Sequence, residues 1–267
     1  ILREDGRVIY TLASVVDDID FAVTDILRGE DHMTNSAAQI QLFEALGSSP
    51  PRLGHLSLLT DISGEGLSKR LGSLSLKDLR QEGFQPMAIS SLLSKVGTSD
   101  AIDIFKNINQ IIDDFDINKF GKSKPKFDKV ELLNLNSKFF HLTNFDDISG
   151  QLNTLDFEIT TEFWNLIKGN INTFNDIKFW WDIVYGKIKT INDDHEFTHL
   201  ALKTLPNDSF DKNTWSTWTS LLMKESGRKG KDLFKPLRLC LTGQNNGPEM
   251  ANLVLTMGRQ KIVASHC

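Results

Sequence analysis

The sequence predicts an α/β opening followed by a mostly α-helical remainder. Two β-branched-rich runs, "VIYTLASVVDD" and "FAVTDIL", lie near the start and read as buried strands. From Leu76 onward the apolar residues recur instead at three- and four-residue spacing, the period of a helix. All five tryptophans fall at or after Trp164, so the two parts are different modules rather than copies of one design. No internal repeat or low-complexity tract interrupts either part.

In order along the chain, the second run ends at "RGEDHMTN", and a helix follows from about Asn35. Ile40 with Phe43 and Leu42 with Leu46 supply its apolar spacing, and Gly47 its stop. "PPRLGHLSLL" offers a further strand and delivers the chain to "GEGLSKRLGSLSL". In "TTEFWNLIKGN" a Thr caps a helix. In "NTWSTWTSLLMKESG" Trp215, Trp218 and Leu222 share a face that Gly227 ends. "GPEMANLVLTMG" places Pro248 at a first turn, with Met250, Leu253, Val254 and Met257 on one face. These aromatic and aliphatic stripes read as core.

At 267 residues the chain holds two or three domains. Hydrophobic residues make up 40% and charged residues 24%, a globular balance, and no apolar run approaches a membrane span. The opening "ILREDGRVIY" has no Met start and no apolar leader, and reads like the middle of a protein. Two cysteines, Cys240 and Cys267, cannot build a disulfide framework, which fits a reducing cytosol. A formal net charge of −5 leaves a polyanionic partner open, because the cations are concentrated. "KFGKSKPKFDK", Lys119 to Lys129, holds five lysines against one Asp. "KESGRKGKDLFKPLR", Lys224 to Arg238, holds six cations against two acids.

Two constellations could carry chemistry. "HEFTH", His195 to His199 with Glu196 between, has the spacing of a zinc-hydrolase helix. It lacks a convincing third ligand: His266 sits at the C-terminus, and Glu225 and Glu249 have no supporting pattern. The second is the pair "RGEDH", Arg28 to His32, and "LSKR", Leu67 to Arg70. A polar cluster past a strand's C-terminal end is where open α/β sheets bind ligands. An Arg there can grip a carboxylate bidentately, and a Lys on a Gly-hinged loop can follow phosphates as charge builds. Activation of a carboxylate by ATP needs both parts.

These segments carry a resemblance. "DGRVIYTLASVVDDIDFAVTDILRGEDHMTNSAAQIQLFEALG", "GHLSLL" and "GEGLSKRLGSLSL" resemble the second half of the catalytic domain of bacterial glutamyl-tRNA synthetases, a class I family. "LSKR" is similar to that family's second signature, with Gly66 where Lys is usual. "GKSKPKFD", "LNLNSKFF", "KPLRLCLTG" and "GPEM" extend the resemblance over essentially the whole chain. It implies the tail of a Rossmann-type catalytic domain (1–75), a mixed α/β stem-contact domain (76–150) and a helical anticodon-binding region in two parts (151–205 and 206–267).

By position, the resemblance implies that Tyr10, Ser14 and Arg28 contact glutamate, with Arg28 on its side-chain carboxylate. Glu30, Asp31, His32, Leu59 and Lys69 would bind ATP, with Lys69 and Arg70 serving catalysis on a loop that closes over it. Lys122, Lys124 and Lys126 would meet tRNA, and Gly169, Asn170, Gly247, Pro248 and Met250 the anticodon. The implied cofactors are ATP with Mg²⁺, and the implied partners are glutamate tRNA and L-glutamate, with glutamine tRNA left open. A cytoplasmic monomer is expected, with no resident metal. None of the six histidines stands in the family's first signature, H-I-G-H, which implies a C-terminal portion cut inside the catalytic domain. A non-catalytic tRNA-binding role is the alternative.

Overall fold

Most of the stretch "VIYTLASVVDD", expected as strand, is helical in the computed structural model: α1, Tyr10–Asp20. The reason is spacing. Leu12, Val15 and Ile19 fall on one helical stripe, and Val15 at its centre is fully buried. Burying that stripe outweighs the at most about 0.7 kcal/mol per residue by which β-branched residues disfavour a helix. Residues 1–67, 75–186 and 194–264 are described. They divide into two units: 1–75 with 90–103 and 107–129, and 76–89 with 104–106 and 130–267.

In the first unit, the strand expected from Phe21 begins later, as β1, Asp25–Gly29. Phe21 caps the end of α1 and is 82% exposed. α2, Met33–Ala45, carries the chain to β2, Arg52–Leu56, which lies parallel to β1 with Arg28 opposite His55. A parallel pair requires such a crossover. Arg52 pins the register through Nε and Nη2 on the Asp25 carboxylate, at 2.7 and 2.9 Å. Of the apolar positions expected on α2, Phe43 is buried, Ile40 and Leu42 are half-buried and Leu46 is 52% exposed, and polar Ser36 and Gln39 join Phe43 in the buried stripe.

Past β2, Thr60 is buried, with its amide on Pro125 O (2.9 Å) and its carbonyl accepting from Phe127 N (2.8 Å). Farther on, buried Lys95 pairs with Asp100 (2.9 Å) and Asp114, and Asp100 also takes Lys119 (2.9 Å). Hydrogen bonds from those two lysines hold the Asp100 carboxyl below its usual range.

The mixed α/β character expected of 76–150 is not found. Its described helices are α3 (Leu76–Gln81), α4 (Pro86–Lys95), α5 (Ile108–Asp114), α6 (Lys129–Leu142) and α7 (Phe145–Leu152). β pairing among its described residues is an isolated bridge from Lys126 to Thr60. Helical starts explain this: Pro86 opens α4, and Asn107 caps α5 by accepting from Gln110 N at 3.1 Å. Residues 76–150 are shared between the two units.

The second unit continues with α8 (Thr161–Ile167), α9 (Asp176–Val184), α10 (His195–Lys203), α11 (Thr214–Ser226), α12 (Lys231–Thr242) and α13 (Met250–Ala264). One apolar core runs from Phe140 to Ile262 and contains Trp164, Trp180 and Trp218. Each of those indoles donates to a carbonyl, of Thr143 (3.1 Å), Asn170 (3.3 Å) and Ala201 (3.0 Å). The expected caps are present: Thr160 Oγ1 accepts from Phe163 N at 3.2 Å, and Gly227 ends α11 at φ 69°. Pro248, expected in the first turn of α13, lies before it. Among the described residues no helix is long and apolar enough to cross a membrane.

Asn136, fully buried on α6, accepts from Gln85 N (2.7 Å) and donates to Asn172 O (2.5 Å). Asn136→Ala strands both groups and should lower unfolding free energy by about 2–3 kcal/mol. Denaturant titration checks this, and an unchanged midpoint would show that the link carries no stability.

Candidate active site and RNA-facing surface

Arg28 sits near the end of β1, half-buried. Its Nη2 donates to Ser36 Oγ and to Gln39 Oε1 (2.6 Å), and Gln39 Nε2 donates to Ser14 Oγ on α1 (2.6 Å). Ser36 Oγ also lies 3.1 Å from His32 O and 2.7 Å from His55 Nε2, and the tautomer of His55 decides which of that pair donates. Four elements therefore meet at one guanidinium through neutral oxygens. Among the described residues no carboxylate lies within ion-pair distance of Arg28, and its buried Nε has no partner. A half-buried cation without a counter-ion is costly, and an arriving carboxylate would relieve that cost.

Glu30, Asp31 and His32 form a 3-10 turn directly after β1. The turn passes so close that a Cβ on Gly29 would overlap Asp31 and lie 2.8 Å from Leu58 Cδ2. His32 stands with its ring 6.1 Å from that of Tyr10 and its Nε2 4.0 Å from Asp31. Leu59 is half-buried beyond β2.

The approach to the "LSKR" segment is built around Asp61, whose Oδ1 accepts from Ser63 N (2.9 Å), Ser63 Oγ (2.6 Å) and Glu65 N (2.9 Å). These bonds hold its carboxyl below the usual range, the Ser63 hydroxyl contributing most. Lys69 and Arg70 lie outside the described residues. Lys126 Nζ donates to Ile62 O (3.1 Å), and Ser57 Oγ to Lys122 O (2.9 Å). The lysine segment is thus stitched to the base of that loop. Lys122, Lys124 and Lys126 are exposed.

In the second unit, Trp180 joins two of the expected RNA contacts. Its Nε1 donates to Asn170 O at 3.3 Å, and its ring lies where a Cβ on Gly247 would be. Gly169 and Asn170 are exposed. Arg238 Nη2 donates to Pro248 O at 3.0 Å, its Nη1 is buried without a partner, and burial pushes its guanidinium pKa down. Arg228, Lys231 and Lys235 line a cleft on this unit.

"HEFTH" has a structural use. Asp194 caps α10 by accepting from Phe197 N (3.1 Å) and pairs with Arg228 (2.5 Å), which stacks over the Phe197 ring. Arg228 holds the Asp194 carboxyl below its usual range. His195 and His199 point to solvent, and no three metal-binding side chains converge among the described residues.

Residues 1–134 match the family described as tRNA synthetases class I (E and Q), catalytic domain. The chain belongs to that family. Residues 138–264 match an anticodon binding domain. The glutamate–tRNA ligase of Azospirillum brasilense is 44% identical over 263 residues, covering 98% of this chain and 59% of the relative. Glutamate–tRNA ligase 1 of Maricaulis maris is 43% identical over 264 residues, with the same coverage. This chain therefore spans 59% of the length of these relatives. A glutamate tRNA ligase crystal structure from Elizabethkingia meningosepticum, solved in complex with its amino acid, shares the fold. Its TM-score is 0.78 at 21% identity, over 99% of this chain and 60% of that one.

The structure brings Ser14 and Arg28 together through Gln39 and sets Tyr10 beside His32. Ser36, Gln39, His55 and Trp180 carried no role in the sequence reading. Their signal was a polar pair, Ser36 and Gln39, at helical spacing on the face of Phe43. Met250 is 7% exposed in the helical core, and Pro248 is buried with its carbonyl accepting from Arg238. The exposed neighbours are Asn245, Asn246 and Glu249.

Gly247 has φ 150° and leaves no room for a Cβ beside Trp180. Gly247→Ala should therefore cost about 1–3 kcal/mol of stability through overpacking. It should also shift the tryptophan emission, and wild-type stability with wild-type emission would contradict this packing.

Proposed function

We propose that this chain is the glutamate- and tRNA-binding portion of a glutamate–tRNA ligase. In that reaction a glutamate carboxylate oxygen attacks the α-phosphorus of ATP, giving glutamyl-adenylate and pyrophosphate. A terminal ribose hydroxyl of tRNA then takes the glutamyl group and releases AMP. The observation that carries the reading is Arg28, a positioned guanidinium with neutral partners, in a family whose curated relatives are glutamate ligases. Arg28 would pair the side-chain carboxylate, with Tyr10 and Ser14 beside it. Glu30, Asp31, His32 and Leu59 would line the ATP side, Lys69 would bind its phosphates, and Lys69 and Arg70 would serve catalysis. Mg²⁺ would arrive with ATP, since the described residues build no metal cage.

Lys122, Lys124 and Lys126 are proposed to contact tRNA phosphates, which position without specifying. The anticodon would be met by Gly169, Asn170 and the turn of Gly247, Pro248 and Met250, whose exposed neighbours are Asn245, Asn246 and Glu249. On this reading 1–75 serves catalysis, 76–150 the tRNA stem, and 151–205 with 206–267 the anticodon, in a cytoplasmic monomer.

Arg28→Leu in the full-length protein tests the reading. Loss of a charge-assisted pair should lower kcat/KM for glutamate by about two orders of magnitude or more while tRNA affinity holds. An unaltered glutamate KM would refute it.

A further inference from the structure

Gln39 is 3% exposed, on a helix face where an apolar side chain would pack without cost in hydrogen bonds. Both ends of its amide are used: Oε1 accepts from Arg28 (2.6 Å) and Nε2 donates to Ser14 (2.6 Å). The strongest acceptor for a buried guanidinium is a carboxylate, and Glu has the same length as Gln. The chain places the uncharged isostere there, and Ser36, the other acceptor on Nη2, is uncharged too. The guanidinium is thereby oriented from two sides and its charge is left for a ligand.

We propose that Gln39 is the positioning residue that aims Arg28 while keeping its charge unneutralised, and so sets selectivity for a carboxylate-bearing substrate side chain. The inference rests on the reading of Arg28 above. Supply of a carboxylate from within the protein would close the site. Gln39→Glu does that with minimal damage to the fold, because the Ser14 hydroxyl can turn from acceptor to donor. Its nearest alternative acceptor, Thr11 O, is 3.5 Å away. The introduced carboxylate then competes with that of the substrate for Arg28.

The experiment uses the full-length protein with Gln39→Glu, Gln39→Met and Arg28→Leu, measuring aminoacylation, the KM values for glutamate and ATP, and the thermal midpoint. Gln39→Glu should raise the glutamate KM about 10- to 100-fold, the range for losing a hydrogen bond to a charged group. The ATP KM should stay within about twofold, and the thermal midpoint should hold or rise, a combination that mere loosening of the fold cannot give. Gln39→Met, which orients nothing and adds no charge, should raise the glutamate KM less. If Arg28→Leu abolishes glutamate use while both Gln39 variants keep the wild-type glutamate KM, the role of Gln39 falls and that of Arg28 stands. If the KM values for ATP and glutamate rise together with a lower thermal midpoint, Gln39 is structural and the proposal fails. Should Gln39→Glu not fold, a wild-type glutamate KM in Gln39→Met overturns the proposal alone. A wild-type glutamate KM in Arg28→Leu removes the reading beneath it and the proposal with it.

Discussion

A guanidinium held by neutral acceptors ties four elements of the first unit together. Arg28 reaches α2 through Ser36 and Gln39, α1 through Gln39 and Ser14, and β2 through Ser36 and His55. The parallel register that sets Arg28 opposite His55 is required for that convergence. A slip of one residue would turn one of these two side chains to the opposite face from the other. The Asp25–Arg52 pair that pins the register is exposed and adds little stability itself, but it lies on the same two strands. Geometry, not burial energy, is what these strands supply.

The second unit solves a different problem. Its core takes in several tryptophans, each bringing an N–H that must be satisfied once buried. Carbonyls at helix ends and turns do this, so the indoles fix where those turns lie. Trp180 is the case with functional weight: one ring sets the position of Asn170 by a hydrogen bond and of Gly247 by contact. Two segments far apart in sequence are thus presented from one buried anchor. The polar side chains that reach solvent there sit on turns rather than on the helices themselves.

Much of this was legible beforehand, because it rests on local signals. The Thr160 cap, the Gly227 stop and the stripe of Met250, Leu253, Val254 and Met257 follow from spacing and backbone chemistry. The strand around Arg28 and the one around His55 were placed, as was Arg28 itself. What failed had non-local causes. α1 is rich in Val and Ile, and only the stripe made with its neighbour overrides that preference. α2 buries Ser36 and Gln39 beside Phe43, where both bond Arg28, so apolar periodicity finds Phe43 but not the polar part of that face. The burial of Pro248 likewise depends on how the turn before α13 meets the rest of its unit, which no local signal gives.

The central claim is that Arg28 is built to receive a carboxylate from outside the protein. The most direct measurement is a crystal structure of the full-length protein with L-glutamate bound. The account predicts the side-chain carboxylate within about 3 Å of the Arg28 guanidinium nitrogens, the spacing of a charge-assisted hydrogen bond. Ser36 and Gln39 should keep their hold on Nη2. Glutamate bound with its side-chain carboxylate on another cation, and Arg28 turned away or paired within the protein, would contradict it.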